Sequence, residues 1–505
     1  MTTRRTLIAA AGAATAATVL GLPGAARAAA KPGTAGAAPA AEKPDAIAHL
    51  LRRATFGPTP ASLAEAAGLG VAGWLDRQLS PATIADPQVD SLLTRLPLAG
   101  ASIPAVRSKI KLHSYEAFGQ LGRAAVARAA WSNRQLFEVI AQFWGNHLHV
   151  AAPSSGVWDS RSDYEAQVIR KFTFGKFADM LKASMKHPAM LTYLDNRTST
   201  KAHPNENYAR ELMELHTVGL IYTEQDVAQA ARLLTGMTVA KDGVYQYDAA
   251  RHAGGAVRVL GFTDPNAATE AGPHALAGYL ARHPATAERI ATKLCVRFVA
   301  DEAPASLVTK LAKVYLANDT AIVPVLRALF TSAEFAAAAG RKARTPFEDM
   351  IATIRALGLG PETSGIKALD ALYNAMVDAG NAPFRWSPPN GYPDAASVWA
   401  SPSSFLLRCN LHLNLATGWY PSQLTRPADL LKSLVPALPA TYGALVDALA
   451  VRLTGVKLPA AHTAAVLSVA GKLPTSPLTA TDKSLAGHAP YLIALVLNSP
   501  TFQLR

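Results

Sequence analysis

The chain has 505 residues, 50% of them hydrophobic and only 17% charged, with a formal net charge of +13. This is enough apolar sequence for a large core in one or two domains. Two cysteines, Cys295 and Cys409, exclude a disulfide scaffold, and the scattered Lys and Arg, with no basic tract interleaved with aromatics, argue against nucleic acid as a partner.

The N-terminus sets the expected compartment. Thr3-Arg4-Arg5-Thr6-Leu7-Ile8 is a twin-arginine pattern, an Ala-rich apolar run follows to Leu20, and Ala26-Arg27-Ala28 is a small-residue cleavage site. Residues 1–28 therefore read as a twin-arginine signal peptide, and the mature protein is expected in the cell envelope or outside the cell. No later segment has about 18 uninterrupted apolar residues, so no transmembrane segment is expected in it. Loss of Arg4, Arg5 and Arg27 leaves a net charge of +10 (13 − 3), which is compatible with an anionic polymer outside the cell. Residues 29–44, rich in Ala, Pro, Gly and Lys, read as a disordered linker.

From residue 45 onward helical periodicity dominates. Helices are expected over 46–55, 60–67, 71–79, 115–130, 133–148, 164–186, 206–218 and 225–234. They continue over 273–281, 285–298, 305–317, 322–339, 346–357, 365–379, 403–416, 442–453 and 485–498. Alternating patterns are rare. Val244–Tyr247 and Val257–Leu260 are the best, and predict one small hairpin around the turn-like 248–255 segment. The expected fold is mainly α, a multi-helix globular protein with at most a small β-hairpin. A phrase at 326–335 (LRALFTSAEF) matches one at 492–502 (LIALVLNSPTF), each an apolar helix ending in a Ser turn and an aromatic plug. The pair suggests equivalent packing units, with regions at 45–260 and 261–505.

The densest polar segment is 194–227, LDNRTSTKAHPNENYARELMELHTVGLIYTEQDV. Asn205 reads as an N-cap. On the helix that follows, Tyr208, Leu212, Leu215 and Gly219 form an apolar stripe, while Glu206, Asn207, Arg210, Glu211 and Glu214 share the opposite arc. One reading is a surface ion-pair ladder through Glu206, Arg210 and Glu214, four residues apart. The other is a catalytic cluster. His147 projects into the apolar face of the 133–148 helix and needs polar partners. It is either a satisfied core histidine or meets Glu211 and Glu214, to bind a divalent metal or act in acid–base chemistry. No H-E-x-x-H, Walker or G-x-S-x-G motif occurs, which removes zincins, P-loop NTPases and α/β-hydrolases. Trp386-Ser-Pro-Pro-Asn-Gly-Tyr392-Pro-Asp394 cannot be helical and is either a packed corner or the aromatic wall of a sugar site.

These residues resemble the secreted bacterial family catalogued as domain of unknown function 1800. The resemblance lies in HLLRRATFGPTP (49–60), FWGNHLHV (143–150), LDN (194–196), the 204–227 phrase, the HxxG segment at 252, RTPFED (344–349) and PPNGYPD (388–394). It implies an exported α-helical protein with no established reaction, often encoded beside a sulfatase-like exported partner, with a role in polysaccharide metabolism. Relatives usually carry His where this chain has Gly145, and often Asp where it has Ala253. His147, Asn146, Asn205, Glu206, Asn207, Arg210, Glu211 and Glu214 match. Two functions follow as expectations. One is a hydrolase-like enzyme on an extracellular polysaccharide, with Glu211 and Glu214 as acid/base groups, His147 as ligand or base and Arg210 as anion clamp. Asn146, Asn207, Trp386 and Tyr392 would then shape the substrate site. The other is a non-enzymatic envelope protein that binds glycan or supports a partner protein.

Overall fold

The computed structural model describes residues 45–505. The signal and linker assigned to 1–44 lie outside the described residues. The first helix, Ala46–Ala54, starts at Asp45, whose carboxylate accepts from the Ala48 N–H at 2.7 Å. Such caps recur. Thr59, Thr223 and Thr345 each open a helix with a reciprocal capping box, so three boundaries are written in local sequence. Among the described residues no helix is long and apolar enough to cross a membrane.

The protein is mainly α, as expected, but several long periodic runs are broken. The expected 164–186 helix is interrupted: a turn at Thr173–Gly175 precedes a separate helix, Phe177–Met185. The run at 322–339 breaks after Ile322–Phe330, because Ser332 caps a second short helix, Ala333–Ala336. The expected break between 60–67 and 71–79 is present: within Pro60–Gln78, Gly70 is non-helical at φ 68° and ψ 172°, a conformation a β-carbon would oppose, and it separates two helical stretches.

The strands depart from expectation in pairing. Val257–Val259 does not pair with Tyr245–Tyr247. Met237–Val239 (β1) pairs antiparallel with Tyr245–Tyr247 (β2), and Val257–Val259 (β3) pairs with Phe262–Asp264 (β4). The second hairpin turns on Leu260–Gly261, both at positive φ, in register Val259 to Phe262. Two successive positive φ values make the tight turn that suits strand twist. The 248–255 segment is a connecting loop instead. It is pinned by buried His252, whose ring nitrogens lie 2.7 and 2.6 Å from the Thr235 and Ala267 carbonyls.

One hydrophobic cluster runs from Leu50 to Phe502, across residue 260. The two similar phrases form similar units. Ser332 caps the turn that buries Phe335, and Ser499 caps the turn that buries Phe502. The first helix ties both together. His49 Nε2 lies 2.8 Å from the Phe335 carbonyl, Arg53 donates to Ala338 at 2.6 Å, and Arg52 donates to Thr501 at 3.2 Å. The HLLRRA segment is therefore a strap across the two units.

Candidate functional site

The Gln135–His147 helix meets Leu212–His216, the wider π continuation of the Glu206–Glu211 helix, through His147 and His216. The expected meeting of these elements occurs, through different partners. His147 Nε2 lies 3.0 Å from the His216 carbonyl, which only accepts, so Nε2 carries the hydrogen. Nδ1 must then accept, and Lys293 Nζ donates to it at 2.9 Å. His147 is thus a neutral, buried histidine; burial first, then Lys293, holds its pKa far below the ordinary value. Neither ring nitrogen is bonded to Glu211 or Glu214, which corrects the expected His–carboxylate contact. Lys293 has its pKa pushed down to about 7 by burial, with Arg289 adding to the effect. Buried His216 is lowered to about 3, again mainly by burial, and then by Lys293.

Asn205 caps the Glu206–Glu211 helix as expected, accepting from the Tyr208 N–H at 3.3 Å. Along it, Arg210 forks onto both carboxylate oxygens of Glu224 at 2.7 Å, and Glu206 stands 4.0 Å away. Glu214 accepts from the Tyr222 hydroxyl at 2.5 Å rather than continuing the ladder to Arg210. Asn207 donates to the Leu194 carbonyl at 3.5 Å. Glu211 is half-buried, and its pKa is raised by burial and then by the neighbouring Glu214 carboxylate. Among the described residues no group of three or more His, Cys, Asp or Glu side chains could hold a metal ion. The donor set proposed from sequence does not fit one, since His147 faces a lysine and a carbonyl.

The 386–394 loop is built around Asn146. Its side chain donates to the Tyr392 carbonyl at 2.7 Å and accepts from the Tyr392 N–H at 2.6 Å, a backbone-like pairing. The Tyr392 hydroxyl donates to Ala382 at 2.8 Å, the Trp386 indole to Asn390 at 3.0 Å, and the Trp399 indole to Pro393 at 3.0 Å. His149 Nε2 and the Tyr193 hydroxyl reach the Trp386 and Ser387 carbonyls at 2.7 and 3.0 Å. The result is a fixed row of partly exposed rings. Trp386 and Tyr392 are 5.2 Å apart between centroids, and Tyr392 and Trp399 are 5.9 Å apart.

Beside Tyr392 lie two cavities of about 70 Å³ each, both bordered by Gln142, Asn146, Asn381 and Tyr392. One extends past Gly145 to Glu138, Glu165, Arg128 and Arg170. Arg170 forks onto Glu138 at 2.7 and 2.8 Å. The other reaches Arg297 and Asp394. Of these charged groups only Asp394 was marked by sequence, through the PPNGYPD motif. Glu138 and Arg170 are 32 residues apart, and only their pairing marks them, although RTPFED and PPNGYPD did flag Glu348 and Asp394. Gly145 keeps its cavity open. A β-carbon there would meet Glu165 Oε2 and Ile169 at 3.8 Å, ordinary contact distance. Gly145→Ala is therefore expected to stabilise the protein by about 0.5–1 kcal/mol through helix entropy alone. A lower denaturant midpoint in the variant would contradict this.

Residues 49–504 match the family described as a protein of unknown function, DUF1800. The chain belongs to that family. No curated protein and no solved structure matches it. The match begins at His49, which straps the first helix to Phe335, and ends at Leu504, bridged to Ala343. Nearly the whole described fold is thus the family's unit.

Proposed function

We propose that this is an exported protein that binds an extracellular or cell-envelope polysaccharide, holding sugar rings against the Trp386–Tyr392–Trp399 row. That row carries the reading: three partly exposed aromatic planes, fixed from behind by backbone and side-chain hydrogen bonds. Aromatic faces suit the C–H faces of sugars, and a prefixed loop spends little entropy on binding. Export rests on the twin-arginine leader and the small-residue cleavage site.

The hydrolase reading keeps Glu211 and Glu214 as acid/base groups, with His147 and Arg210 assisting. The partners of those groups favour binding over cleavage. Arg210 is engaged by Glu224, Glu214 by Tyr222, and His147 by Lys293 and the His216 carbonyl. Glu211, with its raised pKa, is the one residue of this set suited to proton transfer. A sulfatase-like exported protein remains the expected partner.

The test uses residues 29–505 in affinity electrophoresis through gels of neutral and acidic polysaccharides, with a parallel assay for new reducing ends. Binding without cleavage is expected. Trp386→Ala should weaken it by on the order of 2 kcal/mol, about thirtyfold. Binding that Trp386→Ala leaves intact would sink the aromatic-row reading. New reducing ends from the wild type but not from a folded Glu211→Gln variant would replace it with the hydrolase.

A further inference from the structure

A second, larger concavity shares no residue with the aromatic row or the cavities beside Tyr392. It measures about 680 Å³, within the range of small-ligand sites. Its walls come from the 161–172 and Phe177–Met185 helical segments, the start of the Ile103–Lys109 helix, and the β2 edge. Lys171, Lys182 and Lys186 line it, and among the described residues none has a carboxylate within 4.0 Å, whereas nearby Lys176 is paired with Asp319 at 2.7 Å. Of the two acids in the lining, Asp163 is engaged by His187 at 3.0 Å, and Asp179 stands exposed. Three unpaired ammonium groups converging on one concavity focus a positive potential into it.

The remaining surface narrows the ligand. The aromatic rings here are already covered by cations: Lys171 Nζ lies 5.5 Å from the Phe172 ring centroid and Lys186 Nζ 5.9 Å from that of Tyr245. Both rings also pack against the core, which leaves them poorly placed to stack the bases of single-stranded nucleic acid. Pro104, Ala183, Pro188 and Val244 supply a shallow apolar floor. Ammonium groups above an apolar floor match a sugar chain that carries oxyanions. We infer that this groove is a binding site for an acidic oligosaccharide segment, its carboxylate or sulfate groups received by Lys171, Lys182 and Lys186. The inference does not depend on the aromatic row, and its test separates the two.

Residues 29–505 are titrated with oligogalacturonate as the carboxylate probe, dextran sulfate as the sulfate probe, neutral dextran, and a single-stranded DNA oligonucleotide. Lys182→Glu/Lys186→Glu is compared with Trp386→Ala, and circular dichroism checks that each variant is folded. Binding of either acidic glycan is expected, and which one binds identifies the oxyanion. The affinity should fall as salt rises. The double variant should lose roughly tenfold or more for the acidic glycans alone, whereas Trp386→Ala weakens neutral and acidic glycans alike. Unchanged affinity in the folded double variant would overturn the site. So would failure of both acidic glycans to bind, or DNA binding as tightly as they do.

Discussion

Glu348→Gln is expected to cost roughly 3–5 kcal/mol of stability, because it strands two buried cations. Glu348 is buried, 2.5 Å from Arg297 and 2.9 Å from Arg505. It also closes the capping box of the Pro346–Ala356 helix by accepting from the Thr345 N–H at 3.0 Å. Burial works against its charge, yet Arg297 and then Arg505 overcome that and hold the carboxyl at about 2, below its ordinary 4.5. A depressed carboxylate pKa stabilises the fold above the unfolded value. That contribution is present above about pH 4.5 and fades as pH falls toward 2. Gln keeps the shape but removes the closest carboxylate of both guanidinium groups, leaving Arg297 only Asp394, 3.7 Å away. Urea denaturation at pH 7 measures the loss, and repetition at lower pH should show the two proteins converging. A loss below about 1 kcal/mol would mean that water or other anions compensate the arginines.

Gly391→Ala is the second large effect, and it acts on the proposed binding row. Gly391 sits at φ +73°, where an L-residue costs about 1–2 kcal/mol. A β-carbon there would also overlap the carbonyl oxygen of Asn146 and lie 2.7 Å from its Oδ1. The backbone carbonyl ends a helix turn and cannot rotate away cheaply. Overpacking of that kind costs about a further 1–3 kcal/mol. The variant is expected to break the Asn146–Tyr392 pairing and release the loop, so polysaccharide affinity should fall at least as far as in Trp386→Ala. Tryptophan fluorescence reports the loop, since Trp386 and Trp399 flank it. Unaltered emission together with unaltered stability would refute the packing argument.

Local sequence made much of the fold legible. Helices at Ala305–Ala317 and Glu224–Leu233 follow from apolar periodicity and, in the second, from the Thr223 capping box. The Ser332 and Ser499 turns repeat because each Ser oxygen accepts from the N–H three residues on. Sequence overestimated continuity where tertiary packing favoured a turn, as at Thr173–Gly175. It mispaired β2 with β3 because three-residue strands carry too little alternation to choose a partner. Gly145 and Asn146 show the same division within the site. Their identities are plain in the chain, but that Gly145 borders a cavity and Asn146 grips Tyr392, 246 residues away, is not.

The sequence by itself determined the mainly helical class, the family, the caps and the residues that stand out: His147, the 206–214 polar arc and the Trp386–Asp394 loop. Each of these is local, fixed by periodicity, side-chain-to-backbone bonds or proline geometry. Only the tertiary structure decided what those residues face. His147 meets Lys293 and a carbonyl instead of Glu211 and Glu214, and Arg210 meets Glu224. Arg297, Glu348, Asp394 and Arg505 share one buried network. Hydrophobic pattern turns a helix face inward but leaves its neighbour unspecified. Polar partners are chosen when the core closes and every buried donor must find an acceptor.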